Sequence, residues 1–486
     1  MSASSATCAG AGVTGKDEAR VATPLMIDAL GPDKSYRSKK RGLICDVSGQ
    51  GVAELTHVPA LYMARTLDRL RSESGVAAAL TLAERDKLLQ QAALNFETAR
   101  LGGIGPEEHH RLVALTSGLP VSVVRAGAAT VADACRGAVK TVESARPQAS
   151  VLGRLDIAPG SAAAVWRRRG RVLGVNASGN HPAVHSLWLE ALALGYRVVV
   201  RPSHRDPLTP YRLVLALRAA GFADDDILFL PCDHSVADEL VRGVDLAIVF
   251  GGDTVVSRYA GGWLHTPVLP QGPGRVKVLI TGRWEPFLDL VVASVSGIGG
   301  ASCLNATGVL IEQNAPEFAE ALADRLSHLR PLSPDHEMAE LPCRPIAEAR
   351  TLEAFLRQRA GKAVSLLGHA GIVHDFGNGS AALLPAVHLV DSATAEQMAL
   401  ELPFPCAWVA PWSRSQGTLP LRDSLVVGVA TDDDALFAAL VEEPSIRNVY
   451  ALDRPTWWLP PGIPHDGFLA EFLMRSAAVA RPHEGV

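Results

Sequence analysis

Between residues 171 and 250, short β-rich runs at 171–175, 197–200, 227–230 and 246–250 alternate with helix-like stretches at 183–194 and 211–220. That alternation restricts the fold more than any other feature of the chain. Strand, crossover helix and parallel strand is the repeating unit of a doubly wound sheet. Strands covered on both faces read as nearly continuous apolar runs, and these do. A second series follows: strands at 276–281 and 307–312, helices up to about residue 295 and over 315–329 and 346–359, then strand-like 363–367, 408–410 and 424–430. A helix over 434–442 and another over 468–479 complete it, while the Pro-rich stretch 330–345 reads as a surface excursion.

Ahead of the first series, residues 58–144 are helical in pattern. Leu61, Ala64, Leu67 and Leu70 recur at helix spacing, as do Leu88, Leu89, Ala92 and Leu94. Glycine and proline break the run at 102–106 and at 118–120. The expected organisation is a mobile tail (1–24), a helical region with the first α/β unit (25–270), a second α/β unit (271–430) and a C-terminal segment (431–486). Gly10, Gly12 and Gly15 match the GxGxxG pattern, but no strand precedes it and no apolar helix follows, so the match is chance.

Charge is nearly balanced, 46 basic against 51 acidic residues, which argues against a nucleic-acid partner and against a membrane-surface helix. The most apolar window, 288–304, contains Asp289 and several glycines and does not read as membrane-spanning. Seven cysteines without paired spacing suggest reduced thiols, and no CxxC or His-rich cluster offers a metal site. With no basic and apolar leader at the N-terminus, a cytoplasmic protein is the expectation.

Three strand ends carry polar turns: residues 176–182 with Asn180, 201–203 with Arg201 and Ser203, and 251–254 with Gly251 and Gly252. In open α/β sheets ligands bind beyond such carboxyl ends. A Gly-Gly turn at a helix start lets backbone N–H groups approach a pyrophosphate, although tight turns use glycine for many other reasons. Cys303 lies between the small residues 296–302 and an apolar strand, a setting that leaves room for a substrate carbon beside the sulfur. A buried structural thiol is the competing reading. His465-Asp466-Gly467 can be read as a proton relay or as a turn before a helix.

The order Gly179-Asn180-His181-Pro182, Arg201-Pro202-Ser203, Phe250-Gly251-Gly252, Gly274-Arg275 and Cys303 resembles the aldehyde dehydrogenase superfamily. Within it, the Gly-Asn-x-Pro and Gly-Gly forms look most like the acyl-thioester reductases related to the fatty-acyl reductase of bacterial luminescence. The resemblance implies an α/β fold with a Rossmann-type cofactor domain and an α/β catalytic domain. It implies that Cys303 is the nucleophile, that Asn180 and the cysteine N–H hold the oxyanion, and that Gly251, Gly252, Arg201 and Ser203 face the dinucleotide. Arg201, with Arg205 nearby, suggests a grip on a 2′-phosphate and hence NADPH rather than NADH. Glu401 is the residue nearest the family's nicotinamide-ribose glutamate, although alignment on Phe404 puts Leu402 there. Hydrolytic members carry a glutamate base where this chain has Gln271, and glutamine cannot take a proton. The expected activity is therefore NADPH-dependent reduction of an activated acid to an aldehyde through an acyl-cysteine. The acyl donor is a small-molecule thioester, or an adenylate from a separate acid-activating ligase, and the subunits form a homo-oligomer. Two alternatives stand beside it: a hydrolytic aldehyde dehydrogenase whose base is another carboxylate, such as Glu285 or Glu401, and a catalytically silent relative.

Overall fold

A computed structural model describes residues 24–73, 75–152, 157–260 and 265–482; residues 10–15 and almost all of the expected tail lie outside them. The β-rich runs of residues 171–250 belong to one seven-stranded sheet in the order Val268–Gln271, Leu246–Phe250, Val172–Asn176, Arg197–Arg201, Ile227–Phe229, Ala29–Leu30, Ser35–Tyr36. Its first five strands pair in parallel, and the last two pairings, through Ala29–Leu30, are antiparallel. Strand order reverses between Val172–Asn176 and Leu246–Phe250, which is where a doubly wound sheet opens a crevice at its carboxyl edge. The polar turns 176–182 and 251–253 flank that crevice.

The second seven-stranded sheet runs Val364–Leu367, Ala386–Leu389, Cys406–Pro411, Ala306–Ile311, Val276–Ile280, Val426–Ala430, Asn448–Ala451. All of its pairings are parallel except the edge strand Val364–Leu367. The sheet strands Val276–Ile280, Ala306–Ile311 and Val426–Ala430 are buried along their whole length, which accounts for their unbroken apolar sequence.

Helices cover the first sheet. Leu82–Thr98 starts at a capping box between Thr81 and Glu84. Val121–Ala145 buries Val124, Ala128, Val131, Cys135, Ala138 and Val142, a stripe at helical spacing that joins the main core. The chain reaches it through Gly118, whose φ of 73° and whose missing Cβ are both required: a Cβ there would sit 2.0 Å from the Cys343 carbonyl oxygen.

Three expectations need correction. Residues 330–345 are a surface excursion only in part: 335–338 are exposed, but the segment docks on the first unit, with Val121 N donating to Pro334 O (2.7 Å) and Cys343 N to Gly118 O (2.6 Å). The expected helix over 468–479 is a short helix, Leu469–Leu473, followed by the strand Met474–Ala480. That strand pairs antiparallel with Ala162–Arg168, so a partner far away in sequence overrides the local helical pattern. Cys45 is disulfide-bonded, against the expectation of reduced thiols, while Cys135, Cys232, Cys303, Cys343 and Cys406 are free. No single helix among the described residues is long and apolar enough to cross a membrane.

Candidate active site

The turn carrying Cys303 lies at the amino edge of the strand Ala306–Ile311 and is fastened from both sides. Asn305 Oδ1 accepts from Ser302 N (2.9 Å), and its Nδ2 donates to Ser294 O (3.1 Å) and Gly297 O (2.7 Å). Thr456 Oγ1 donates to Leu304 O (2.7 Å). Ile298, Gly299 and Gly300 precede the turn with positive φ, and Ala301 packs into the first unit's core. The thiol is therefore held where the two units meet. Gly274 packs on the Cys303 backbone so closely that a Cβ there would stand 1.7 Å from Cys303 O.

Asn180 reaches the same turn. Its Nδ2 donates to Ala301 O (3.2 Å) and its Oδ1 accepts from Ser178 Oγ (2.6 Å), which orients the amide. The second amide hydrogen remains available for an oxyanion formed at the sulfur.

Glu401 sits beside the thiol. Its Oε2 accepts from Gly274 N (2.7 Å) and Arg275 N (3.3 Å), the backbone that touches Cys303. Burial raises its pKa to about 7, with the two amides pulling the other way. Burial likewise pushes the Cys303 thiol up to about 12, and the Glu401 charge is the next largest cause. A carboxyl poised near neutrality next to a nucleophile is the setting of a general base. Glu285, the other carboxylate considered, follows the carboxyl end of the strand Val276–Ile280, at the far end of the sheet from Cys303.

His465 also reaches the sulfur, and of the two readings of its sequence cluster the turn alone is too little. Its Nε2 lies 3.5 Å from Cys303 Sγ, and burial depresses its pKa to about 4. The neighbouring Asp466 pairs with Arg447 (3.0 Å). His465, Asp466 and Gln271 line a cavity of about 270 Å³ between the helix Val121–Ala145, residues 186–190 and the loop 459–469. Glu190, on its wall, is raised to about 7 by burial.

The crevice turns fit an adenine dinucleotide. Gly252 opens the helix Asp253–Ala260 with free space where a side chain would stand, but Gly251 N donates to Gln271 O (3.1 Å), so that N–H is not free for the pyrophosphate contact expected of it. Asp253, an unfavourable neighbour for phosphate, is neutralised by Arg275 (2.6 Å). Ser203 Oγ accepts from Arg205 N (3.2 Å) in the adjoining turn. Arg201 is only 3 % exposed; its guanidinium meets Asn176 Oδ1 (3.0 Å) and His234 Nδ1 (3.3 Å). Arg205 pairs with Glu348 (2.8 Å). Neither arginine is presented unpaired to a 2′-phosphate, so the geometry offers no ground for NADPH over NADH. Glu401, expected at the nicotinamide ribose, is anchored through Oε2 on the Gly274–Arg275 backbone.

The aldehyde dehydrogenase family profile matches residues 37–401, about three quarters of the chain. The chain belongs to the aldehyde dehydrogenase family. This family member is 26% identical over 228 residues to malonate-semialdehyde dehydrogenase of Listeria monocytogenes, covering 44% of this chain and 45% of that one. It is 27% identical over 204 residues to the NADP/NAD-dependent aldehyde dehydrogenase PuuC of Escherichia coli, 39% and 41% of the two chains. A probable methylmalonate-semialdehyde/malonate-semialdehyde dehydrogenase of Caenorhabditis elegans, described as acylating and mitochondrial, is 26% identical over 213 residues, 41% and 40%. The match thus spans under half the length of these curated relatives. The fold superposes on aldehyde dehydrogenase 21 of Physcomitrella patens in complex with the product succinate (TM-score 0.80, 15% identity, 96% and 100% covered). It also superposes on an indole-3-acetaldehyde dehydrogenase complexed with NAD+ (TM-score 0.79, 17% identity, 94% and 97% covered). These relatives are named as dehydrogenases, so the expected assignment to the acyl-reductase branch gains no support from them.

Proposed function

We propose that this aldehyde dehydrogenase oxidises an aldehyde to the free acid with NAD(P)+, hydrolysing its acyl-cysteine with Glu401 as the base. The observation that carries the reading is the half-buried Glu401 carboxyl bound to the Gly274–Arg275 backbone that packs against Cys303, where desolvation raises its pKa to about 7. It supplies what Gln271 lacks and displaces the reductive reading drawn from that glutamine. Cys303 Sγ attacks the carbonyl carbon, and Asn180 Nδ2 with the Cys303 N–H faces the oxygen where charge develops. NAD(P)+, when bound, supplies the hydride acceptor. With the acyl group on sulfur, Glu401 takes a proton from water as the water oxygen attacks the thioester carbon. The carbon–sulfur bond then breaks and releases the acid.

The test is product analysis after mixing protein, aldehyde and NAD(P)+ with and without coenzyme A. Free acid at a sustained rate without any thiol acceptor is expected. Turnover that requires coenzyme A and yields only thioester would overturn hydrolysis in favour of acyl transfer. One observation favours that second reading: Gln271, which cannot activate water, lines the cavity next to His465.

A further inference from the structure

We propose that His465 takes the thiol proton of Cys303, so that two residues divide the work: His465 activates the sulfur and Glu401 activates water. The inference rests on the oxidative reading only for Glu401's half of that division; the sulfur–imidazole contact stands on its own.

Three observations carry it. His465 Nε2 is 3.5 Å from Sγ, hydrogen-bonding distance for sulfur. The other ring nitrogen, Nδ1, is buried without a partner, so among the described residues the sulfur is the ring's one polar contact. The free Nδ1 alone does not single this ring out, since His109 and His388 are buried with both nitrogens unpartnered; the sulfur contact does. The backbone that carries the ring is held: Asn448 Nδ2 donates to His465 O (2.6 Å), and Gly467 follows with φ 74°.

Glu401 is a poor alternative for the thiol proton. Its Oε2 is engaged by the Gly274 and Arg275 amides, and among the described residues no hydrogen bond joins it to Sγ; while ionised, its charge also raises the thiol's pKa. A thiolate beside an imidazolium is neutral as a pair. The titratable groups facing the dyad are Glu401 and Asp466, the latter already paired with Arg447. Burial favours the uncharged S–H and imidazole at rest, so the proton moves as the substrate arrives. The Sγ–H bond breaks and its proton joins Nε2. The sulfur electron pair forms the bond to the carbonyl carbon, and the carbonyl π pair moves onto oxygen near Asn180. When hydrolysis expels the thiolate, the sulfur takes the proton back from Nε2, and the water-derived proton leaves from Glu401 to solvent.

Alkylation of Cys303 by iodoacetamide, followed by intact mass and peptide mapping from pH 5 to 11 without aldehyde or coenzyme, tests this apart from turnover. In the native protein the rate should hold a plateau through neutral pH. In His465→Gln it should fall at least tenfold at pH 7.5 and climb toward the native rate only as pH approaches 11, with melting temperature and NAD(P)H binding unchanged. Superimposed profiles for the native protein and the variant would overturn the proposal. Should His465→Gln fail to fold, His465→Asn and the native profile decide: a single native inflection above pH 10 sinks the idea. Loss of aldehyde oxidation in a protein that keeps the plateau would count against the oxidative reading instead.

Discussion

Replacing Glu401 by glutamine should stop hydrolysis and, in the same protein, raise stability above neutral pH. Burial moves this carboxyl from 4.5 to about 7, beyond what the Gly274 and Arg275 amides restore. A group that binds its proton more tightly folded than unfolded contributes most at low pH. As pH rises through the unfolded value near 4.5 the folded state loses stability, and the loss is complete above about 7. A shift of that size, at ~1.36 kcal/mol per pH unit, sets a ceiling of about 3 kcal/mol at pH 8 and under about 1 kcal/mol at pH 5. Glutamine keeps a carbonyl oxygen for the same two amides and carries no charge. Denaturant unfolding of the native protein and Glu401→Gln at both pH values isolates the effect, because every other titrating group cancels in the difference. The variant should gain roughly 2–3 kcal/mol at pH 8 and little at pH 5. Mixed with aldehyde and NAD(P)+, it should give one burst of reduced coenzyme and then a steady rate lower by ~10²–10⁴. In the native protein the hydrolytic rate should rise with pH through about 7 as Glu401 ionises. Native turnover by the variant, with equal stability at both pH values, would refute the placing of an uncompensated base beside the thiol.

Asn180→Ala removes the amide that Ser178 orients at the cysteine turn; kcat should fall by ~10²–10³ with coenzyme binding unchanged, measured by steady-state kinetics and NAD(P)H fluorescence. Gly274→Ala would force its Cβ onto the Cys303 carbonyl oxygen, so acyl capture read by intact mass should be lost even where the fold survives. Gly118→Ala combines a left-handed backbone with a contact at 2.0 Å to Cys343 O; denaturant unfolding should show a loss of more than ~2 kcal/mol while the surviving folded fraction keeps normal kinetics. Arg201→Ala strips partners from Asn176 and His234, so it should cost ~1–3 kcal/mol of stability and leave the ratio of NADP+ to NAD+ affinity unchanged.

Much of the fold is legible in the sequence. The strand Leu246–Phe250 and the helix Asp434–Glu442 coincide with their sequence patterns, because burial on both faces, or on one helical face, imposes a local period on the chain. The motifs also name residues that the fold places together: Asn180 bonds the cysteine turn at Ala301, and Gly251 and Gly252 precede a helix at the crevice. The small N-terminal strands, Leu25–Ile27 to Gly51–Thr56, carry no comparable signal, since most are two to five residues long.

The chain alone thus determines two α/β units, a thiol in a glycine-rich turn and an amide to meet it. Whether that thiol has a base was decided only in three dimensions. Read along the chain, Gln271 suggests there is none; folded, Glu401 arrives at Gly274 from 127 residues away and His465 at Cys303 from 162. The strand Met474–Ala480 changes type for the same reason, finding its partner at Ala162–Arg168. Periodicity records what each residue buries locally. The desolvation that raises a carboxyl to about 7, and the contact that gives a sulfur its proton acceptor, exist only once distant segments are packed together.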